Sequence, residues 1–301
     1  MNRPAPRSID QYLAQLREAL KGEDPALVQD ALYDAEEYLR AEVASHAGRS
    51  EADVLELIAS TYGAPDEVAE AYRTTEKTVR AALKPVAPPP RTTAVGRFFG
   101  VYADSRAWTA LFYLLLSLVT GTFYFTVAVT GLAVSAGLAF LIIGIPFFLL
   151  FIGVTRVLSL TEGRIVEGLL GVRMPRRPLR STRGIGLVAR IKEMLLDLRT
   201  WTTLLYMLLM LPLGILYFTV AVVGLAIAGA GIAAPVIVLL HGLGVPGAGI
   251  EVDGEMLAWP LTLPAALFGV LLLTGLMHGA RVVGELHGRL ARALLLSRDG
   301  E

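Results

Sequence analysis

The chain has 301 residues, 54% of them hydrophobic, a mean hydropathy of +0.57, no cysteine and a formal net charge of zero. The lack of cysteine excludes disulfides, a thiolate nucleophile, cysteine-ligated zinc and iron–sulfur clusters. The neutral total hides two oppositely charged parts: residues 1–80 carry 16 acidic and 9 basic side chains, net −7, and residues 81–301 carry 11 and 18, net +7.

The chain starts MNRPAPRSIDQYL, without the apolar core of a secretory signal, so the first part is expected in the cytoplasm. Ser8 and Gln11 make a capping box, and Ile9, Tyr12, Leu13, Leu16 and Leu20 follow at helical spacing, which predicts a helix over about 9–21. Asp24-Pro25 opens a second helix with the stripe Val28, Ala31, Leu32, Ala35, Leu39 and Val43. Ser50 opens a third, closed by Gly63, and Pro65-Asp66-Glu67 a fourth. Together they predict a small helical bundle, of a size at which core burial gives marginal stability and a partner surface helps. Asp30, Asp34 and Glu37 line one side of the second helix beside Glu36, as a solvated face or a place for a cation or basic partner. His46 reads as a surface or helix-end histidine.

The strings YLAQLREAL and ASTYGAPDEVAEAYR, within residues 8–75, resemble the HAAS domain, an α-helical cytoplasmic module of multi-pass bacterial membrane proteins. The resemblance implies a signalling module and, as partner, a PadR-like transcription regulator. Residues 1–83 are accordingly expected to form one domain. Residues 84–94, with three consecutive prolines at 88–90, are expected to be a semi-rigid linker.

Residues 95–301 read as a membrane domain. Ala107 to Thr155 contains no Asp, Glu, Lys or Arg over 49 residues, enough for two crossings at about 20 residues each. The string YFTVAV occurs at Tyr124–Val129 and again at Tyr217–Val222, an offset of 93 that also aligns Arg97, Asp104, Arg106, Trp108 and Gly131 with Arg190, Asp197, Arg199, Trp201 and Gly224. Asp-x-Arg-x-Trp places charges at the headgroups and an indole at the interface before an apolar helix. Asp104, Arg106, Trp108, Asp197, Arg199 and Trp201 are therefore the expected membrane-interface motif. Upstream, Phe98, Phe99, Val101 and Tyr102 in one copy and Leu187, Val188, Ile191, Met194 and Leu195 in the other suggest interfacial amphipathic helices. The repeat ends align at an offset of 125, with Arg156, Gly163, Arg164 and Leu169 against Arg281, Gly288, Arg289 and Leu294. Repeat one is thus 95–171 and repeat two 187–296, the second carrying 32 extra residues (125 less 93) near 240–263. That insertion, with Glu251, Asp253 and Glu255, is the candidate external loop.

Residues 159–200 hold nine basic and four acidic side chains, and the tail is also basic, so both are expected in the cytoplasm. Four crossings follow, at about 108–131, 134–156, 201–224 and 258–281, with both termini inside and the repeats related by an axis along the membrane normal. Residues 225–240 are apolar enough for a further crossing but are read as re-entrant or as an extended helix. The fold class expected is all-α: a cytoplasmic bundle and a multi-pass domain of two helical-hairpin repeats. The Asp-x-Arg-x-Trp motifs, the Tyr124–Gly131 and Tyr217–Gly224 runs and the Arg-x(6)-Gly-Arg ends resemble a sensor domain of actinobacterial and other bacterial membrane proteins, over about 95–296. Some members of that family are fused to histidine kinases. No ATP-binding or phosphoacceptor domain follows residue 301, so output is expected through the N-terminal bundle or a separate protein.

No P-loop, Gly-x-Ser-x-Gly or His-Glu-x-x-His motif is present, and no catalytic, cofactor or metal residue is assigned. The predicted crossings lack charge in their central parts. His241, His278 and His287 are read as interfacial. Gly275, Gly279, Gly284 and Gly288 form two Gly-x-x-x-Gly pairs, for packing within the chain or for a homodimer. Pro146, Pro212 and Pro264 should kink their helices. Arg173, Arg176, Arg177, Arg180 and Arg183 have three readings: topology setting, contact with anionic lipid, or docking of the acidic bundle. The expected function is a non-enzymatic sensor of the bacterial inner membrane that signals to a cytoplasmic protein. The alternatives are a transport or lipid-handling component with a cavity between the hairpins, and a structural membrane organiser. Its partners are expected to be the lipid bilayer and that cytoplasmic protein, without direct nucleic-acid binding.

Overall fold

The computed structural model describes residues 5–46, 48–83, 93–138, 144–177, 195–252 and 255–296. Four helices come first: α1 (Ile9–Ala19), α2 (Pro25–Ser45), α3 (Glu51–Tyr62) and α4 (Pro65–Leu83). Their starts follow the predicted chemistry. Ser8 Oγ accepts from Gln11 N at 3.2 Å, Asp24 caps α2 by accepting from Ala26 N at 3.0 Å, and Ser50 and Asp53 cap one another at the start of α3. Gly63 takes φ +99°, which only glycine adopts without strain, and its carbonyl accepts from Tyr12 Oη at 2.9 Å. Leu16, Leu20, Ala31, Ala35 and Leu39 form the fully buried centre of this bundle.

After α5 (Ala94–Phe99) and a 3₁₀ turn (Gly100–Ala103) come four long helices: α6 (Ser105–Gly137), α7 (Gly144–Leu170), α8 (Leu198–Gly242) and α9 (Trp259–Leu295). All four are long and apolar enough to cross a membrane. The fold is all-α, apart from a two-residue antiparallel pair, β1 (Glu251–Val252) with β2 (Glu255–Met256), in register Glu251 to Met256. Residues 225–240 belong to one continuous α8 of 45 residues, Pro212 and Pro235 included. That is the extended-helix alternative. At 1.5 Å per residue α8 is about 68 Å long, twice a hydrocarbon core of about 30 Å. Because α8 carries no Asp, Glu, Lys or Arg beyond Arg199, an oblique course suits it better than an upright one.

Helix direction follows from the contacts. Each hairpin is antiparallel: Gly131 of α6 lies on the Phe151 ring of α7, and the equivalent Gly224 of α8 lies on Leu276 of α9. Between repeats, a Cβ on Gly121 would strike the Met210 carbonyl, and one on Gly214 would strike the Ser117 carbonyl. The contacts run in opposite senses, 117 to 214 and 121 to 210, so α6 and α8 pass antiparallel. Helix α9 therefore runs parallel to α6, as the ascending series Tyr102–Thr274, Asp104–Arg281, Ala110–Gly284 and Tyr113–His287 shows. Two upright hairpins entered from the same side would have set α6 and α8 parallel. The structure instead relates them by a pseudo-two-fold axis through the Gly121–Gly214 crossing. The charge pairs obey it: Asp104 meets Arg281 at 3.0 Å, and the equivalent Asp197 meets Arg156 at 3.8 Å.

The four glycines of α9 divide. Gly284 and Gly288 pack within the chain, on Ala110 and Val172, whereas a Cβ on Gly275 or Gly279 would meet nothing within 4 Å. Alanine at Gly121 or Gly214 should therefore destabilise by about 1–3 kcal/mol through overpacking against backbone. Alanine at Gly275 or Gly279 should stay within about 0.5 kcal/mol of the parent or gain slightly from helix propensity. Thermal unfolding of the four variants in detergent checks the contrast.

Candidate functional site

At the pseudo-axis lies a cluster of polar side chains from all four long helices. Glu162 of α7 is 1% exposed and His287 of α9 is 1% exposed, in a domain whose core is mostly apolar. Glu162 Oε1 accepts from Tyr113 Oη of α6 and from Tyr206 Oη of α8, each at 2.8 Å, and Oε2 accepts from Tyr124 Oη at 3.0 Å. His287 Nε2 lies 2.6 Å from Tyr113 Oη and 3.0 Å from Tyr206 Oη, and Nδ1 lies 3.4 Å from Tyr217 Oη. Each tyrosine has one hydroxyl proton. With those of Tyr113 and Tyr206 given to the carboxylate, Nε2 must carry a proton and donate, which assigns the tautomer from the network. A buried carboxylate is tolerable only with such donors, and here it has three.

The cluster is symmetric. Tyr113 and Tyr206 are equivalent at the offset of 93, as are Tyr124 and Tyr217, and Glu162 and His287 are equivalent at 125. At a two-fold axis equivalent groups face each other, and two carboxylates there would repel. An acceptor-only group opposite a donor resolves the conflict. The two offsets contained this pairing, but a comparison for identical residues passes over Glu162 and His287 because they differ. The interfacial reading of His287 is corrected: the histidine is buried at the centre. Glu162 follows the predicted second crossing in sequence, and the packing of α7 brings it to the buried cluster.

The segment that follows α7 carries the second feature. Gly171 turns the chain at φ +70°, and residues 173–177 run against α2 of the bundle. Asp30, 6% exposed, accepts from Arg173 Nη2 at 2.9 Å and from the backbone N–H groups of Arg176 and Arg177, each at 2.8 Å. Arg173 also lies 3.3 Å from Glu76 and 3.5 Å from Glu167. Arg177 pairs with Asp34 at 2.8 Å and stands over the Tyr33 ring. At the edges, Arg292 of α9 meets Asp24 at 3.2 Å, and Arg199 Nη1 donates to Gln29 at 3.1 Å. The face of α2 read as solvated is thus partly a contact surface. Burial raises the Asp30 carboxyl above its ordinary value, while the hydrogen bonds from Arg177, Arg176 and Arg173 act the other way.

Comparison with known families matches residues 113–295, more than half of the chain, to the family described as "Putative sensor". The chain belongs to this family. No curated protein and no solved structure gives a match. The matched span begins at Tyr113 and ends at Leu295, so it contains every residue of the buried cluster and, at 173–177, the segment against the bundle.

The predicted interface residues, three of them within the matched span, hold local structure. Asp104 and Asp197 cap α6 and α8, accepting from Arg106 N and Arg199 N at 3.0 Å each. Trp108 Nε1 donates to the Tyr102 carbonyl at 2.9 Å, and Trp201 Nε1 donates to the Leu195 carbonyl at 2.8 Å, with both rings half exposed. The predicted interfacial segment of repeat one is α5 with the 3₁₀ turn, packed on α9 through Phe98 on His278 and buried Val101. Its counterpart at 187–194 lies outside the described residues. So do Arg180, Arg183, Asp253 and the linker at 84–92. Glu251 and Glu255 are exposed on the strand pair, and His241 Nδ1 lies 2.7 Å from the Ala248 carbonyl.

The cluster's bonds are unequal, and mutation should show it. Tyr124→Phe removes a 3.0 Å hydrogen bond to the buried Glu162 carboxyl and should cost about 1–3 kcal/mol. Tyr217→Phe removes only a long contact and should cost less than about 0.5 kcal/mol. Thermal unfolding in detergent distinguishes these outcomes.

Proposed function

We propose that this protein is a non-enzymatic membrane sensor whose long helices report to the N-terminal bundle through the Arg173–Arg177 segment. One observation carries the reading: the bundle's buried Asp30 is held by a side chain and two backbone N–H groups of the segment directly after α7, and α7 carries Glu162. A stimulus that moves α7 moves the segment, because only Gly171 and Val172 separate the end of α7 from Arg173. The released bundle would then offer α2 to a cytoplasmic protein. The resemblance of residues 8–75 to the HAAS domain points to a PadR-like regulator as that protein.

The same contacts support an orientation. The bundle meets the segment after α7 and the end of α9, and so lies with both on one side of the long helices. That side is the cytoplasm in our reading, with the pseudo-axis along the membrane normal and the hairpins leaving it obliquely in opposite directions. The end of α9 touches the bundle through Arg292 and Asp24, which supports both termini on that side in a bacterial inner membrane.

Replacing Arg173, Arg176 and Arg177 together by glutamine should shift docking by about 3 kcal/mol, because Asp30 would keep its desolvation without its charge partner. That is roughly a hundredfold in the docked-to-free ratio. Protease cleavage within residues 84–91 of the full chain in bilayers should accelerate accordingly. An unchanged cleavage rate would rule out the relay.

A further inference from the structure

The pseudo-two-fold axis generates two equivalent junctions between repeats, and they differ in one respect. Where α9 meets α6, the small residues close the gap: a Cβ on Gly284 would lie 3.0 Å from the Ala110 Cβ, and Arg281 pairs tightly with Asp104 at 3.0 Å. Where α7 meets α8, a cleft remains, lined by Thr155, Ser159, Thr200 and Thr203 with Arg156 and Arg199. The symmetry mates of those four hydroxyl residues are Ala280, Gly284, Ala107 and Ala110. Every hydroxyl of the open junction therefore faces a position that is alanine or glycine in the closed one. Thr155 and Ser159 donate to carbonyls of their own helix, Ile152 and Arg156. Thr200 is 7% exposed, and its Oγ1 is buried without a hydrogen-bond partner.

We infer that the α7–α8 cleft is a recognition site for a phosphate group at the membrane surface, bound by Arg156 and Arg199 and by the Thr200 hydroxyl. A buried hydroxyl without a partner is costly and calls for an acceptor. Arg156 and Arg199 line the cleft beside its hydroxyls, and guanidinium with hydroxyl donors suits an oxyanion. The Asp197–Arg156 pair is stretched to 3.8 Å where its mate is 3.0 Å, which leaves room for a competing anion. Trp201, one residue from Thr200, is half exposed with its Nε1 tied to the Leu195 carbonyl, a placement that sets the cleft at headgroup depth. The phosphate can belong to an anionic phospholipid or be free. Arg199 also donates to Gln29 of the bundle, so an occupant that draws on Arg199 competes with docking. This last consequence rests on the relay proposed above, whereas the binding site does not.

The test uses the full chain in zwitterionic detergent. Calorimetric titration is made with a short-chain phosphatidylglycerol, with the matching phosphatidylcholine and with inorganic phosphate. Thr200→Val and Arg156→Gln should weaken binding about tenfold or more, while Arg281→Gln at the closed junction leaves it unchanged; equal melting temperatures verify folding, and Arg156→Gln alone serves if Thr200→Val melts early. Phosphatidylglycerol bound well above inorganic phosphate identifies a lipid headgroup, and equal binding identifies a free anion. Binding of neither, or binding that ignores the α7–α8 variants, overturns the site. With binding intact, unchanged protease cleavage at 84–91 on saturation would count against the relay alone.

Discussion

A carboxylate buried among apolar helices constrains everything around it. Glu162 stays in its place because Tyr113, Tyr206 and Tyr124 reach it from two other helices, and those tyrosines can reach it only where α6 and α8 cross. The crossing in turn needs glycine at 121 and 214, since each lies against the other helix's backbone carbonyl. Removing the donors would leave a charge in a low-dielectric interior, a cost of several kcal/mol in a fold whose net stability is of similar size. The polar centre therefore specifies how the two repeats sit, although the apolar contacts contribute most of the burial.

Duplication explains the architecture, and its breaches explain what is specific to this chain. The capping aspartates, tryptophan bonds, tyrosine pairs and crossing glycines are all doubled. Three features are not: the Glu162–His287 pair on the axis, the hydroxyl-lined cleft opposite a closed junction, and the insertion with its strand pair. The first avoids a like-charge pair at the axis, where two carboxyl groups would have to share a proton. The bundle adds a fourth, seating Asp30 after α7 and only the smaller Asp24 contact on α9.

Much of this was legible in the residues. Helix caps at Ser8, Asp24, Asp104 and Asp197 are local chemistry, and local chemistry is read from adjacent positions. The all-α class and four apolar helices followed from hydropathy and the repeat, and the sensor domain from the resemblance its motifs carry. What escaped was three-dimensional. An alignment by identity shows that two units are alike but not the angle at which they cross, so the antiparallel passage of α6 and α8 was hidden. A glutamate after a crossing is ordinarily at the water interface, and only the oblique path of α7 carries Glu162 inward. His287, likewise, sits in a charged helix whose polar neighbours Glu285 and Arg289 suggest exposure.

The central claim is that the carboxylate cluster and the bundle contact form one mechanical unit joined by the end of α7. Hydrogen–deuterium exchange at the amides of Arg176 and Arg177, which donate to Asp30, reads the bundle contact directly. In full-length Glu162→Gln, which keeps shape but disturbs the donors, those two amides should exchange about tenfold faster than in the parent, a shift of about 1.4 kcal/mol in the local opening equilibrium. Unchanged exchange there, in a variant whose melting temperature has fallen, would show the two features to be independent and contradict the account.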